Sequence, residues 1–104
     1  MVCPRLGKPK LFAKVEVTPK FLSVTNGNGT AWTRTTIILN DAFAGPILEV
    51  SDGWAPNETK YYALSDFRGR FNRQAFNPDY EQVREVTIQV KGFQLGIYQT
   101  RTLR

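Results

Sequence analysis

Phe67-Arg68-Gly69-Arg70-Phe71-Asn72-Arg73, followed by Phe76, is the stretch of this chain whose residue types most directly imply chemistry. Guanidinium groups neutralise phosphates and stack on bases, and aromatic rings offer stacking surfaces that accept any base. Arg68, Arg70 and Arg73 are therefore the candidate phosphate contacts, with Lys14, Lys20, Arg34 and Lys91 as a second group. Phe71, Trp32 and Trp54 are the candidate stacking rings, and Tyr61, Tyr62 and Tyr98 could extend the same platform. Basic residues interleaved with rings suit single-stranded nucleic acid better than the groove of a duplex. The competing use of such rings in a small β domain is to fill its core.

Catalytic chemistry is harder to find. The chain has no histidine, which removes the commonest general base, the usual activator of a Ser or Cys nucleophile and the commonest metal ligand. The single cysteine, Cys3, has no base beside it in sequence. Asp41, Glu49, Asp52 and Glu58 lie near one another along the chain, but their spacing fits no calcium loop or acid pair, and as loop residues they serve solubility. No glycine pattern of a phosphate-binding loop or a dinucleotide fold is present. The reading is a binding protein, not an enzyme, with no cofactor and no metal.

With 104 residues the chain has room for one modest core. Its 14 Lys and Arg against 9 Asp and Glu give a formal charge of +5, which favours a polyanionic partner or an anionic surface. The excess is uneven: residues 1–20 hold five bases and one acid, residues 21–60 two and four, and residues 61–104 seven and four. One cysteine allows no internal disulfide, so this is no cysteine-stapled secreted scaffold. Pro4, Gly7 and Pro9 break up the first ten residues, no signal-peptide core is visible and no apolar run spans a bilayer. The expected location is intracellular, in the cytoplasm of the producing cell or of an infected host, with no membrane partner.

The elements that must position these residues read as strands. Residues 1–9 form a basic arm rich in Pro and Lys, and residues 10–104 form one β domain. Between Lys10 and Thr18, Leu11, Ala13, Val15 and Val17 alternate with polar neighbours, as a half-buried strand requires. Pro19 interrupts it, and Lys20 to Thr25 reads as a second strand. Asn26-Gly27-Asn28-Gly29 is the clearest turn, which predicts a hairpin whose return strand runs from Trp32 to Leu39. Further strands are expected at Ile47 to Val50, Lys60 to Phe67, Val86 to Val90 and Leu95 to Leu103. Arg68 to Glu81 is the longest loop, with a helical turn expected around Tyr80 to Val83, and long loops in small domains often carry function.

Val15-Glu16-Val17-Thr18-Pro19, Asn26-Gly27-Asn28-Gly29, Trp32 to Asn40, and Val86 to Gly92 followed by Tyr98 together resemble the OB-fold single-stranded DNA-binding proteins of bacteria and their phages. The strand from Ala55-Pro56 through Leu64 is similar to one in the small phage versions, and the resemblance covers about two-thirds of the chain, without a counterpart for Arg68 to Tyr80. It implies a small antiparallel barrel that binds single strands. Tyr61 to Phe67, Val83 to Val90 and Gly96-Ile97-Tyr98 instead resemble the closing strands of jelly-roll modules of the carbohydrate-binding and respiratory-complex assembly type. The expected fold is an all-β antiparallel barrel or sandwich of five to seven strands, OB-like first and jelly-roll-like second. The expected function is non-catalytic binding of single-stranded nucleic acid. The alternative is a structural or assembly protein, such as a viral particle component, whose exposed edge strands pair with protein partners or with further copies of the chain. A third class, sugar recognition, needs an aromatic patch free of surrounding positive charge.

Overall fold

The computed structural model describes residues 8–70 and 73–100 and contains seven strands: β1 (Ala13–Val17), β2 (Phe21–Asn26), β3 (Thr35–Leu39), β4 (Ile47–Val50), β5 (Thr59–Ala63), β6 (Glu85–Val90) and β7 (Gly96–Gln99). They pair antiparallel into a three-stranded sheet of order β1-β2-β5 and a four-stranded sheet of order β4-β3-β6-β7. The all-β expectation holds in the form of a sandwich, and the described pairing closes no barrel. β2 and β3 are consecutive in the chain yet lie in different sheets. This connectivity is that of immunoglobulin-like sandwiches, here with β4 paired to β3 instead of β5, an architecture common to many domains of unrelated sequence and function.

Alternation decides which side chains meet. Val17 of β1 and Leu22 and Val24 of β2 face the four-stranded sheet. Ile37 and Leu39 of β3, with Val86, Ile88 and Val90 of β6, face back, and all belong to one buried cluster. The registers align these positions, with Ile37 opposite Ile88 and Leu39 opposite Val86. Gly96 of β7 is small for a stated reason: a Cβ there would lie 2.7 Å from Leu11 and 2.8 Å from the Tyr98 ring.

The two ends of the sandwich are built differently. One end carries the connections β2–β3, β4–β5 and β6–β7, together with Lys8 to Leu11, and here the NGNG hairpin expectation is corrected. Asn26 is fully buried, and its side chain donates to Thr30 O at 2.9 Å and Trp54 O at 3.0 Å, so it brackets two connections while the chain crosses to the other sheet. Asn28 Oδ1 accepts from Phe12 N and from Trp32 Nε1. Trp32 and Trp54 exchange backbone hydrogen bonds of 2.9 and 3.0 Å, with ring centroids 5.1 Å apart. Lys8 O and Pro9 O accept from the Gln94 side chain and backbone, so these two residues of the expected arm are tied to the domain, and residues 1–7 lie outside the described residues.

The opposite end carries the β1–β2 turn, the β3–β4 connection (40–46) and the long β5–β6 connection (64–84). The strand expected through Phe67 stops at Ala63 and gives way to one 3₁₀ turn, Leu64–Asp66. The helical turn expected at Tyr80 to Val83 is instead a tight turn begun by Asn77, whose carbonyl accepts from Tyr80 N and Glu81 N and whose Oδ1 accepts from Asp79 N. Pro78 fits such a turn by fixing φ without donating. The last strand ends at Gln99, and residues 101–104 of the expected longer strand lie outside the described residues.

Candidate polyanion-binding surface

The arginine segment is a small hairpin hung from the core by two phenylalanines. Phe67 and Phe76 are buried, and Phe76 N donates to Phe67 O at 2.9 Å. Between them, Gly69 N donates to Gln74 O and Arg73 N to Gly69 O, while Arg68 exchanges backbone hydrogen bonds with Ile47 of β4. Arg68 also bridges to Ala75, so the hairpin continues the four-stranded sheet beyond β4. Burial of the two rings fixes its base, and the charged residues between them are left at its surface.

Arg68, Arg70 and Arg73 line one cleft of about 430 Å³, together with Glu49 and Asp66. All three arginines are exposed. Among the described residues none forms an ion pair with a carboxylate, so the cleft holds one positive charge in excess. Arg73 sits at φ 56°, a left-handed conformation that disfavours a side chain by about 1–2 kcal/mol. Arg70 is a brace: its Nε donates to Gly45 O and its Nη2 to Ala42 O, both at 3.1 Å. Two of its five N–H donors are thereby used.

That brace brings in an exposed ring. In the β3–β4 connection Asp41 Oδ1 accepts from Phe43 N and Ala44 N, a turn that leaves Phe43 87% exposed beside the carbonyl held by Arg70. Gly45 is forced at the end of this turn, since a Cβ there would overlap Leu39 O. Asn40 Nδ2 donates to Gln82 O while its Oδ1 accepts from Arg84 N at 2.7 Å, which fixes the Tyr80 turn relative to the same connection. Tyr80 is 86% exposed and shares with Arg70 and Ala44 a second cleft of about 540 Å³. Sequence reading missed Phe43 and Tyr80. The signal for both was a ring within two residues of a turn former, Asp41 for Phe43 and Asn77-Pro78-Asp79 for Tyr80, which places it at a loop surface.

The other expected contacts divide. Trp32 and Trp54 as stacking rings are corrected: both are 0% exposed, each indole N–H is bonded within the domain, and their faces are spent on core packing. Phe71 lies outside the described residues. Lys20 lies at the arginine end, in a separate groove with Phe21 and Phe76. Arg34 and Lys91 adjoin each other at the tryptophan end, where Lys91 N donates to Arg34 O. Lys14 stands on the outer face of the other sheet, 3.8 Å from Glu16. Of the extending tyrosines, Tyr61 is well exposed, whereas Tyr62 and Tyr98 are half-buried and packed on the core. Burial pushes the phenols of Tyr62 and Tyr98 above their ordinary value. Asp52 is held below its ordinary value by backbone hydrogen bonding and by Lys60, which donates to it at 3.3 Å.

No group of three or more His, Cys, Asp or Glu able to hold a metal occurs among the described residues, nor any helix long and apolar enough to cross a membrane. Compared with family models, curated proteins and solved structures, the chain matches none.

Proposed function

We propose that this domain binds single-stranded nucleic acid without catalysis, at the loop end of the sandwich. The observation that carries this reading is that Arg68, Arg70 and Arg73, close together in sequence, line one cleft while Phe43 and Tyr80, from two other parts of the chain, stand exposed beside Arg70. Guanidinium groups that line one cleft, without ion-paired carboxylates among the described residues, supply phosphate contacts, and exposed rings supply the stacking that unpaired bases seek. Each stacked base contributes about 1–3 kcal/mol, enough for two rings to set the affinity of a small site. A duplex is a poorer fit, because its base faces are stacked within it and the described loops at this end present only the single 3₁₀ turn Leu64–Asp66 and no α-helix for its major groove.

The test is fluorescence anisotropy with a labelled oligonucleotide across a salt series. Affinity should fall as salt rises, and replacing Arg68, Arg70 and Arg73 by Ala should reduce the slope of log K against log salt by about 2, at roughly 0.7 per phosphate contact on a single strand. Tyr80→Ala should lower affinity with that slope unchanged. Binding that ignores salt, or a triple variant with the wild-type slope, overturns the proposal.

A further inference from the structure

A sandwich of two open sheets has four edge strands, and each edge offers unpaired backbone groups to another chain. Three are guarded. β1 displays Lys14 and Glu16 on its outer face. β4 is covered at Ile47 by the main chain of Arg68. β5 turns Lys60 inward over the Trp54 ring, bonded to Asp52 and Gly53 O, and an inward-pointing charge is a known means of protecting an edge. The fourth, β7, has no such device among the described residues: Leu95-Gly96-Ile97-Tyr98-Gln99 carries no charge and no proline, and the bonds that Lys8 to Leu11 make toward it go to Gln94 before it and to the Tyr98 hydroxyl, not to its open backbone edge.

The backbone of β7 is oriented for pairing. Tyr98 lies opposite Val86 and Thr100 N donates to Arg84 O, so the even-numbered residues bond to β6, and alternation turns the N–H and C=O of Ile97 and Gln99 to the open side. Among the described residues no strand occupies that side. On the outer face of the four-stranded sheet, Ile47, Ile38, Thr87 and Ile97 form one row through the registers Ile38–Ile47, Ile38–Thr87 and Thr87–Ile97. The row is buried at Ile38 and Thr87 but ends at the edge on Ile97, 52% exposed, with Leu95 also exposed beside it.

We propose that β7 is a self-association edge, pairing antiparallel with β7 of a second copy about a two-fold axis at Ile97. Ile97 then faces its own counterpart, Leu95 faces Gln99 of the other copy, and each facing pair exchanges two backbone hydrogen bonds. The apolar row runs on into the second molecule, and the two sheets become one of eight strands. A second copy is the occupant the edge fits, because an antiparallel two-fold contact is self-complementary and brings no charged pair together, although each chain carries +5 overall. This inference is independent of the nucleic-acid reading.

Sedimentation of the full chain across a wide range of concentration should show the mass doubling. Ile97→Lys should abolish the doubling with an unchanged circular dichroism spectrum, since the side chain is half in solvent, whereas Glu16→Lys on β1 should leave it. In a Cys3→Ser background, Ile97→Cys should form a covalent dimer on oxidation, because facing Cα atoms about 5.5 Å apart suit a disulfide. Val15→Cys on β1 should not. A monomer at every concentration, a dimer that survives Ile97→Lys, or cross-linking at Val15→Cys in place of Ile97→Cys would overturn the proposal.

Discussion

The two ends of the sandwich use the same kinds of residue to opposite effect. At one end Trp32 and Trp54 are sealed between the connections, their N–H groups bonded to Asn28 and Glu58 O, and Lys60 is drawn over the Trp54 ring. At the other end Phe43 and Tyr80 stand in solvent and three arginines line one cleft, none in an ion pair with a carboxylate among the described residues. The difference lies in the hydrogen-bonding supplied around each ring. Asn26, Asn28 and Glu58 satisfy the polar atoms that burying an indole strands. At the arginine end, Asp41, Asn77 and Asn40 fold the backbone itself into tight turns and leave the rings outside. Aromatic and basic residues therefore make a core or a surface according to where neighbouring amides and carboxylates direct their bonds.

Swapping the perturbation between ends gives the widest contrast. Trp32→Ala, read by denaturant unfolding, should cost about 3–5 kcal/mol through the cavity it leaves, with oligonucleotide affinity per folded molecule unchanged. Tyr80→Ala should alter stability by less than about 0.5 kcal/mol while weakening binding. The comparison fails if Tyr80→Ala unfolds the domain or if Trp32→Ala, still folded, loses the ligand.

A finer probe uses the strained tip of the hairpin. Arg73→Gly relieves the left-handed conformation but frees the unfolded chain, so stability should stay level or rise by up to about 1 kcal/mol. Its oligonucleotide affinity should nonetheless fall at low salt. A variant both less stable and equally tight in binding would show that Arg73 serves the fold instead of the site.

Much of the strand content was legible in the sequence, because period-two alternation at Ala13 to Val17 and at Val86 to Val90 is a direct consequence of half-burial. The sheet each strand joins was not. Asn26-Gly27-Asn28-Gly29 announces that the chain turns, but Asn26 is buried as a bracket and the turn leads across to the second sheet, a choice made by tertiary contacts with Trp54 and Thr30. The arginine cluster was visible as a sequence run, and spatial convergence preserved it. The rings could not be sorted by type alone, since tryptophans suit a core as well as a ligand. Phe43 and Tyr80 were marked by the turn formers that precede them.

Backbone amide chemical-shift mapping with a short single-stranded oligonucleotide tests the assignment of the two ends most directly. The expected changes concentrate at 42–45, 68–70 and 73–81, with the amides of 26–34 and 51–58 unmoved. Changes centred on the tryptophan end, or none anywhere at low salt, would contradict it.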